Sequence, residues 1–334
     1  MKEPTESAEH FLPTLIGDGR PLLALTALSL MLSGGFALFL SITGSFLPQD
    51  VDFLGMQPAQ LCALNQCRIV HFMFHDRVSF GGVLLAIGTL YLWLIHFPLR
   101  RGEGWAWWVF AISGVTGFGS FLCYLGYGYL DTWHGSATLA LIPIYALGMW
   151  KTHASLPPAR TGWRELIKPH SRFEWKTRHG FGRCCLLLTG LGKIGAGSVI
   201  MTVGMTTVFV PQDLQYLGLR IADLNAINPR LVPLIAHDRA GFGGGILSCG
   251  LIIALIVWKA EITPSLWQAF LIAGSVGFGC AIGVHYPIRY LSATHLAPAW
   301  AGALLFITGM ICTASRRTCS AGAIDFWKKS QPTL

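Results

Sequence analysis

Charged side chains are scarce in this sequence. Its 334 residues include 16 Asp or Glu and 24 Lys or Arg, 12% in all, against 53% hydrophobic residues and a mean hydropathy of +0.53. A water-soluble domain carries about twice that share of charge, so the composition excludes one and indicates an integral membrane protein in contact with lipid. Acid is the scarcer sign, and the formal net charge is +8. That excess does not make nucleic acid a partner, because the basic residues sit in short segments between apolar runs, where they set topology. An amphipathic transit peptide and a short cleavable signal are both lacking. Residues 1–18 are polar with mixed charge and the first apolar run is of full spanning length, so the first helix is expected to stay.

Internal similarity organises what is present. His75-Asp76-Arg77, followed by Phe80-Gly81-Gly82, recurs as His237-Asp238-Arg239 with Phe242-Gly243-Gly244. Upstream, Phe46-Leu47-Pro48-Gln49-Asp50 recurs as Phe209-Val210-Pro211-Gln212-Asp213. The offset is 163 at the second element and 162 at the first, and Asn65 and Arg68 match Asn228 and Arg230 across the gap. Downstream, Gly117-Phe118-Gly119 answers Gly277-Phe278-Gly279, and Leu130 with His134 answers Leu291 with His295. The pattern predicts a tandem duplication.

A spanning helix needs ~20 mostly apolar residues. Eight segments qualify or come close, near 21–46, 78–98, 105–129, 135–150, 184–209, 240–258, 265–287 and 296–313. The expected fold is therefore an all-α integral membrane protein with eight transmembrane helices in two parallel four-helix-bundle repeats. The first repeat and its N-terminal tail take 1–150, a basic linker 151–183, and the second repeat and C-terminal tail 184–334. Arg100 and Arg101, the linker's eight basic residues, and Arg316, Arg317, Lys328 and Lys329 fall on one side if eight helices alternate. The reading is a multi-pass protein of the bacterial inner (cytoplasmic) membrane with both termini cytoplasmic. Pro48 and Pro211 would close the spans before them, and 57–64 and 221–227 would form short interfacial helices. Glycines in spans two, three, six and seven allow close approach of backbones or of a flat ligand.

His75, His134, His237 and His295 occupy matched places at the outer starts of the even-numbered spans. Two imidazoles on facing helices supply what bis-histidine haem ligation needs, and Arg77 and Arg239 suit propionates. Zinc or copper suits imidazole too, and a histidine at an interface also serves merely to present its polar tip to headgroups. No thiolate or Glu cluster of a closed structural site accompanies them. Asp76 and Asp238 are placed to orient a histidine or to be held by the arginines. Cys62 and Cys67, in the first outer loop only, are positioned to bridge in an oxidising compartment. His71 and His285 lack counterparts in the other half, an asymmetry that would let one half's site be catalytic and the other's structural, or that simply places both at the interface; Lys193, also unmatched, is either a functional ionisable group within its span or snorkels to the near interface.

Eight spans with histidines at the outer starts of spans two, four, six and eight, and a cysteine pair confined to the first outer loop, resemble the haem A synthase family across the membrane region. The resemblance implies a membrane oxidoreductase that binds haem b or a related haem at His75, His134, His237 and His295 (haem iron), with Cys62 and Cys67 as the loop disulfide and other membrane redox subunits as partners in electron transfer. In that family an arginine directly follows the histidine of spans two and six, whereas here Asp76 and Asp238 intervene. The glutamate it places one turn before its first histidine is absent. The other class open to this sequence is a transporter, or a structural subunit of a larger membrane complex without haem.

Overall fold

The computed structural model describes residues 16–122, 129 and 132–314, with backbone alone at 121–122 and 132–134. All regular structure among them is helical. Arg316, Arg317, Lys328 and Lys329 lie outside the described residues. The helices in chain order are α1 (Arg20–Thr43), α2 (Pro48–Leu54), α3 (Pro58–Leu64), α4 (Arg68–His96), α5 (Gly104–Leu122), α6 (Thr132–Ala154), α7 (Arg178–Met205), α8 (Pro211–Leu217), α9 (Ile221–Ile227), α10 (Leu231–Lys259), α11 (Pro264–Gly283), α12 (His285–Ile288) and α13 (Ala293–Thr313). Among the described residues, six segments are long and apolar enough to cross a membrane: α1, α4 with the turn after it, α7, α10, α11 with α12, and α13.

α4 and α10 start about ten residues before the apolar runs that predict them, so both His-Asp-Arg motifs lie inside helices. Hydropathy ends a span at such a polar triplet, but the helix continues because these side chains are buried and find partners across the bundle. Pro48 and Pro211, rather than only closing a span, occupy the first turns of α2 and α8, where a missing N–H costs nothing. Gly55 and Gly218 end these two helices at φ 64° and 66°, a left-handed conformation that glycine adopts without penalty.

α4 and α10 form the centre: 72% and 78% of their apolar windows are buried, against 22–33% for the other four spans. α1 packs on α4 and α7 on α10, while α11 packs on α4 and α5 on α10. The third long helix of each half thus rests on the motif helix of the opposite half. Backbones touch where glycines face one another. A Cβ on Gly34 would lie 2.6 Å from the Gly81 carbonyl oxygen, and one on Gly197 would lie 2.3 Å from Leu247 N and 2.7 Å from the Gly243 oxygen. The outward faces of α1, α7 and α13 expose Leu32, Ile42, Val199, Leu304 and Ile311, an apolar surface suited to lipid.

At one end a second core, including Phe46, Leu61, Phe72, Leu217, Leu224 and Tyr290, fills the space under α2, α3, α8 and α9. Its loops are clamped reciprocally. Asn65 Nδ2 donates to the Leu217 carbonyl (3.1 Å) and Asn228 Nδ2 to the Leu54 carbonyl (2.7 Å). Arg68 donates to the Tyr216 carbonyl (3.3 Å) and Arg230 to that of Phe53 (2.6 Å).

Candidate functional site

The motif residues are consecutive on a helix, so their side chains leave its axis in three directions about 100° apart. Two of those directions carry ion pairs between α4 and α10. Arg77 Nε donates to Asp238 (2.8 Å) and its Nη1 contacts Asp50 (2.8 Å). Reciprocally, Arg239 Nε donates to Asp76 (3.3 Å), and its Nη1 to Asp213 and to the Val208 carbonyl (2.9 Å). Each guanidinium is thereby enclosed by two carboxylates of the chain itself. Burying charge is costly unless it is paired, and here the four aspartates outnumber the two arginines, leaving a formal excess of two negative charges. His75 and His237 each bond one of these carboxylates as well.

His75 lies on the third direction, where it meets two histidines of the other half. One ring nitrogen from each of His75, His285 and His295 lies within 4.8 Å of the other two. The first comes from α4, the others from α12 and α13 of the opposite half. His75 Nε2 is 3.0 Å from His285 Nε2. His75 Nδ1 is 2.9 Å from Asp76 Oδ1. A carboxylate only accepts, so Nδ1 carries a proton, and in the neutral tautomer Nε2 keeps the lone pair. His295 Nδ1 is 3.1 Å from the Tyr290 hydroxyl, which donates to Asp213 Oδ1 at 2.7 Å. The hydroxyl oxygen therefore accepts from His295, whose Nε2 likewise keeps a lone pair. Tyr290 stays a neutral donor, since burial and the neighbouring Asp213 carboxylate push its phenol well above the usual range. A chain of bonds thus runs from His75 through Asp76, Arg239, Asp213 and Tyr290 to His295, fixing both tautomers.

The other half repeats most of this chain. Tyr129 donates to Asp50 Oδ1 (2.6 Å), Arg77 links Asp50 to Asp238, and His237 Nδ1 is 3.2 Å from Asp238 Oδ1. The Tyr129 and His237 rings are 5.1 Å apart. His134 belongs to α6, but its side chain lies outside the described residues, as does Leu130. At the place matching His285 the sequence has Tyr124, so only one half supplies a third imidazole.

Asp50, Asp213, Tyr129 and Tyr290 complete the site, and sequence reasoning gave them no role. The recurrence of Pro-Gln-Asp was the available signal for the two aspartates; the tyrosines stand five residues before each matched histidine. Cys62 and Cys67 are joined by a disulfide between α3 and α4. Lys193 does not approach the cluster: its Nζ lies 4.2 Å over the Phe278 ring.

The cluster fits a single transition-metal ion. Tetrahedral bonds of ~2.0–2.1 Å place ligand nitrogens about 3.3 Å apart; the His75–His285 pair is at 3.0 Å and all three ring nitrogens lie within 4.8 Å of one another. Hydrogen-bonded outer partners on ligating histidines are characteristic of metal sites. His285 Nδ1 is buried without a hydrogen-bond partner, a polar orphan in an imidazole set otherwise held by oxygens. The three rings are in mutual contact, with centroids 4.4–5.6 Å apart. Comparison with protein-family models, curated proteins and solved structures finds no match.

Proposed function

We propose that the chain is an integral membrane metalloprotein whose centre is held by His75, His285 and His295 near the outer face of a bacterial cytoplasmic membrane. The observation that carries this reading is the convergence of three imidazoles, two of them with Nδ1 tied to oxygen acceptors, beside a buried excess of negative charge. Three imidazole ligands would make a centre of catalytic rather than closed four-ligand structural type. Copper there supplies one-electron chemistry and zinc a Lewis acid. The protein's own part is to fix the imidazole tautomers through Asp76 and Tyr290, to balance charge through Arg239, and to wall the site with Phe72, whose ring lies beneath the Arg239 guanidinium.

In the same reading α5 (19 residues) and α6 (23 residues) join the six apolar spans to make eight, in two parallel repeats with both termini cytoplasmic. The reciprocal Arg–Asp pairs and loop clamps support that arrangement, and the basic linker supports the orientation. The test is metal content and optical spectrum of the detergent-purified protein. About one copper or zinc per chain is expected, lost on His75→Ala, His285→Ala or His295→Ala and kept on His237→Ala. A Soret band weakened by His75→Ala would replace the ion with a haem, the cofactor implied by the likeness to haem A synthase. A protein free of metal and colour after metal-replete growth sinks both.

A further inference from the structure

Of the polar residues that break the internal repeat, three come together at one end of the molecule. His71, His285 and Arg289 stand where the other half has Pro233, Tyr124 and Gly128. Beside the histidine cluster lies a cavity of about 440 Å³ whose lining includes Gln66, Arg68, His71, Tyr216 and Arg289 and, among the described residues, no acidic side chain. Its lining residues adjoin those that hold the cluster. His71 is one helical turn, ~5.4 Å, before His75 on α4. Tyr216 stacks on Tyr290 at 4.6 Å, and Tyr290 holds His295. Ile288 and Arg289 close the turn that begins with His285.

Arg289 is the telling residue. Its φ is +58°, a left-handed conformation uncommon for residues with a side chain and one that glycine, present at the matched place, adopts freely. Its N–H caps the His285 and Tyr286 carbonyls, and the reversal turns Tyr290 inward while leaving Arg289 exposed. Backbone strain of this kind concentrates at functional sites. Arg68 and His71 face the cavity from α4, and Arg289 faces it from the other half.

We propose that this cavity is a binding site for a phosphate-type oxyanion, free or carried on a lipid headgroup, at the entrance to the histidine cluster. Donors from two sides suit a multiply charged tetrahedral group, and the guanidinium fork matches phosphate oxygens. The position beside a metal rests on the metal-centre reading; the anion site stands on its own residues.

The experiment is calorimetric titration of the full-length protein with inorganic phosphate in phosphatidylcholine nanodiscs, before and after loading with Zn²⁺. Saturable binding is expected, weakened roughly tenfold or more by Arg289→Gly, the size of one lost charge-assisted hydrogen bond, and unchanged by Arg230→Gln in the opposite loop. Arg289→Gly relieves the left-handed strain, so an unchanged denaturation midpoint is expected to accompany the loss. Repeating the titration in phosphatidylglycerol nanodiscs separates the sources: undiminished phosphate binding assigns the site to the free anion, and binding abolished by the anionic lipid assigns it to a headgroup. Absence of phosphate binding in the neutral lipid, or binding indifferent to Arg289→Gly, overturns the proposal. Zinc uptake without any phosphate response rejects the anion site alone, whereas phosphate binding without zinc uptake rejects the metal centre and leaves the anion site standing.

Discussion

Tyr290→Phe and Tyr129→Phe remove the same atom from equivalent surroundings, and only one of those atoms supports the histidine cluster. Each hydroxyl donates to a buried aspartate, at 2.7 Å for Tyr290 and 2.6 Å for Tyr129. A hydrogen bond to a charged group contributes about 1.5–3 kcal/mol, so both variants are expected to lose stability by about that amount. The Tyr290 hydroxyl also accepts from His295 Nδ1. Removing an outer-sphere partner of a ligating histidine weakens metal binding about 10–100-fold, or ~1.4–2.8 kcal/mol. Zinc affinity, measured by competition with a chromophoric chelator, should therefore fall for Tyr290→Phe and hold for Tyr129→Phe, while denaturant midpoints in detergent fall for both. Equal zinc affinities in the two variants would refute the claim that Tyr290 orients a ligand. Matched losses of affinity would mean that the effect follows stability alone.

Two further outcomes follow from packing and charge. Arg239→Met leaves Asp76 and Asp213 buried without their guanidinium, and breaking a buried pair costs about 3–5 kcal/mol. Arg220→Met, at an exposed pair with Asp223, should leave the denaturation midpoint in place, and an Arg239→Met protein as stable as its parent would contradict the assigned network. Gly197→Leu forces a side chain into the backbone of α10, where even a Cβ would be 2.3 Å from Leu247 N. Overpacking costs ~1–3 kcal/mol or more. Gly195→Leu, two residues away with nothing within 4 Å of its Cβ, serves as the control in the same thermal-unfolding assay, and similar behaviour of the two would overturn the close contact.

The apolar spans were legible because twenty-residue hydrophobic runs have few other uses, and α3 and α9 followed from turn and proline signals. What was not legible was which helix touches which. Hydrophobic periodicity says that α4 and α10 bury a face, but a single sequence does not say that α11 crosses to α4 and α5 to α10. Pairing within each half placed His75 with His134 and His237 with His295; the exchange instead seats His295 beside His75. His285 stood out only as an unmatched histidine near the end of a span, since the single-turn helix that aims it inward is too short to leave a periodic pattern. Asp50 and Asp213 were visible in a recurring tripeptide, yet their arginine partners lie 27 and 26 residues away in sequence, with no local signal joining them.

The ion pairs between α4 and α10 also set a timetable for synthesis. Arg77 and Asp238 are separated by 161 residues, and Asp76 and Arg239 by 163. At ~5–20 residues per second, the ribosome delivers the later partner roughly 8–30 s after the earlier one. During that interval Arg77 has Asp50 within the same half as a counter-charge, and Asp76 has a hydrogen-bond donor in His75. The groove on α4 that receives α11 stays uncovered until nearly the whole chain has been made. Membrane insertion of the first helices is thus separated in time from closure of the bundle, and a nascent chain stalled in its second half would present to lipid a polar seam that the finished protein never shows.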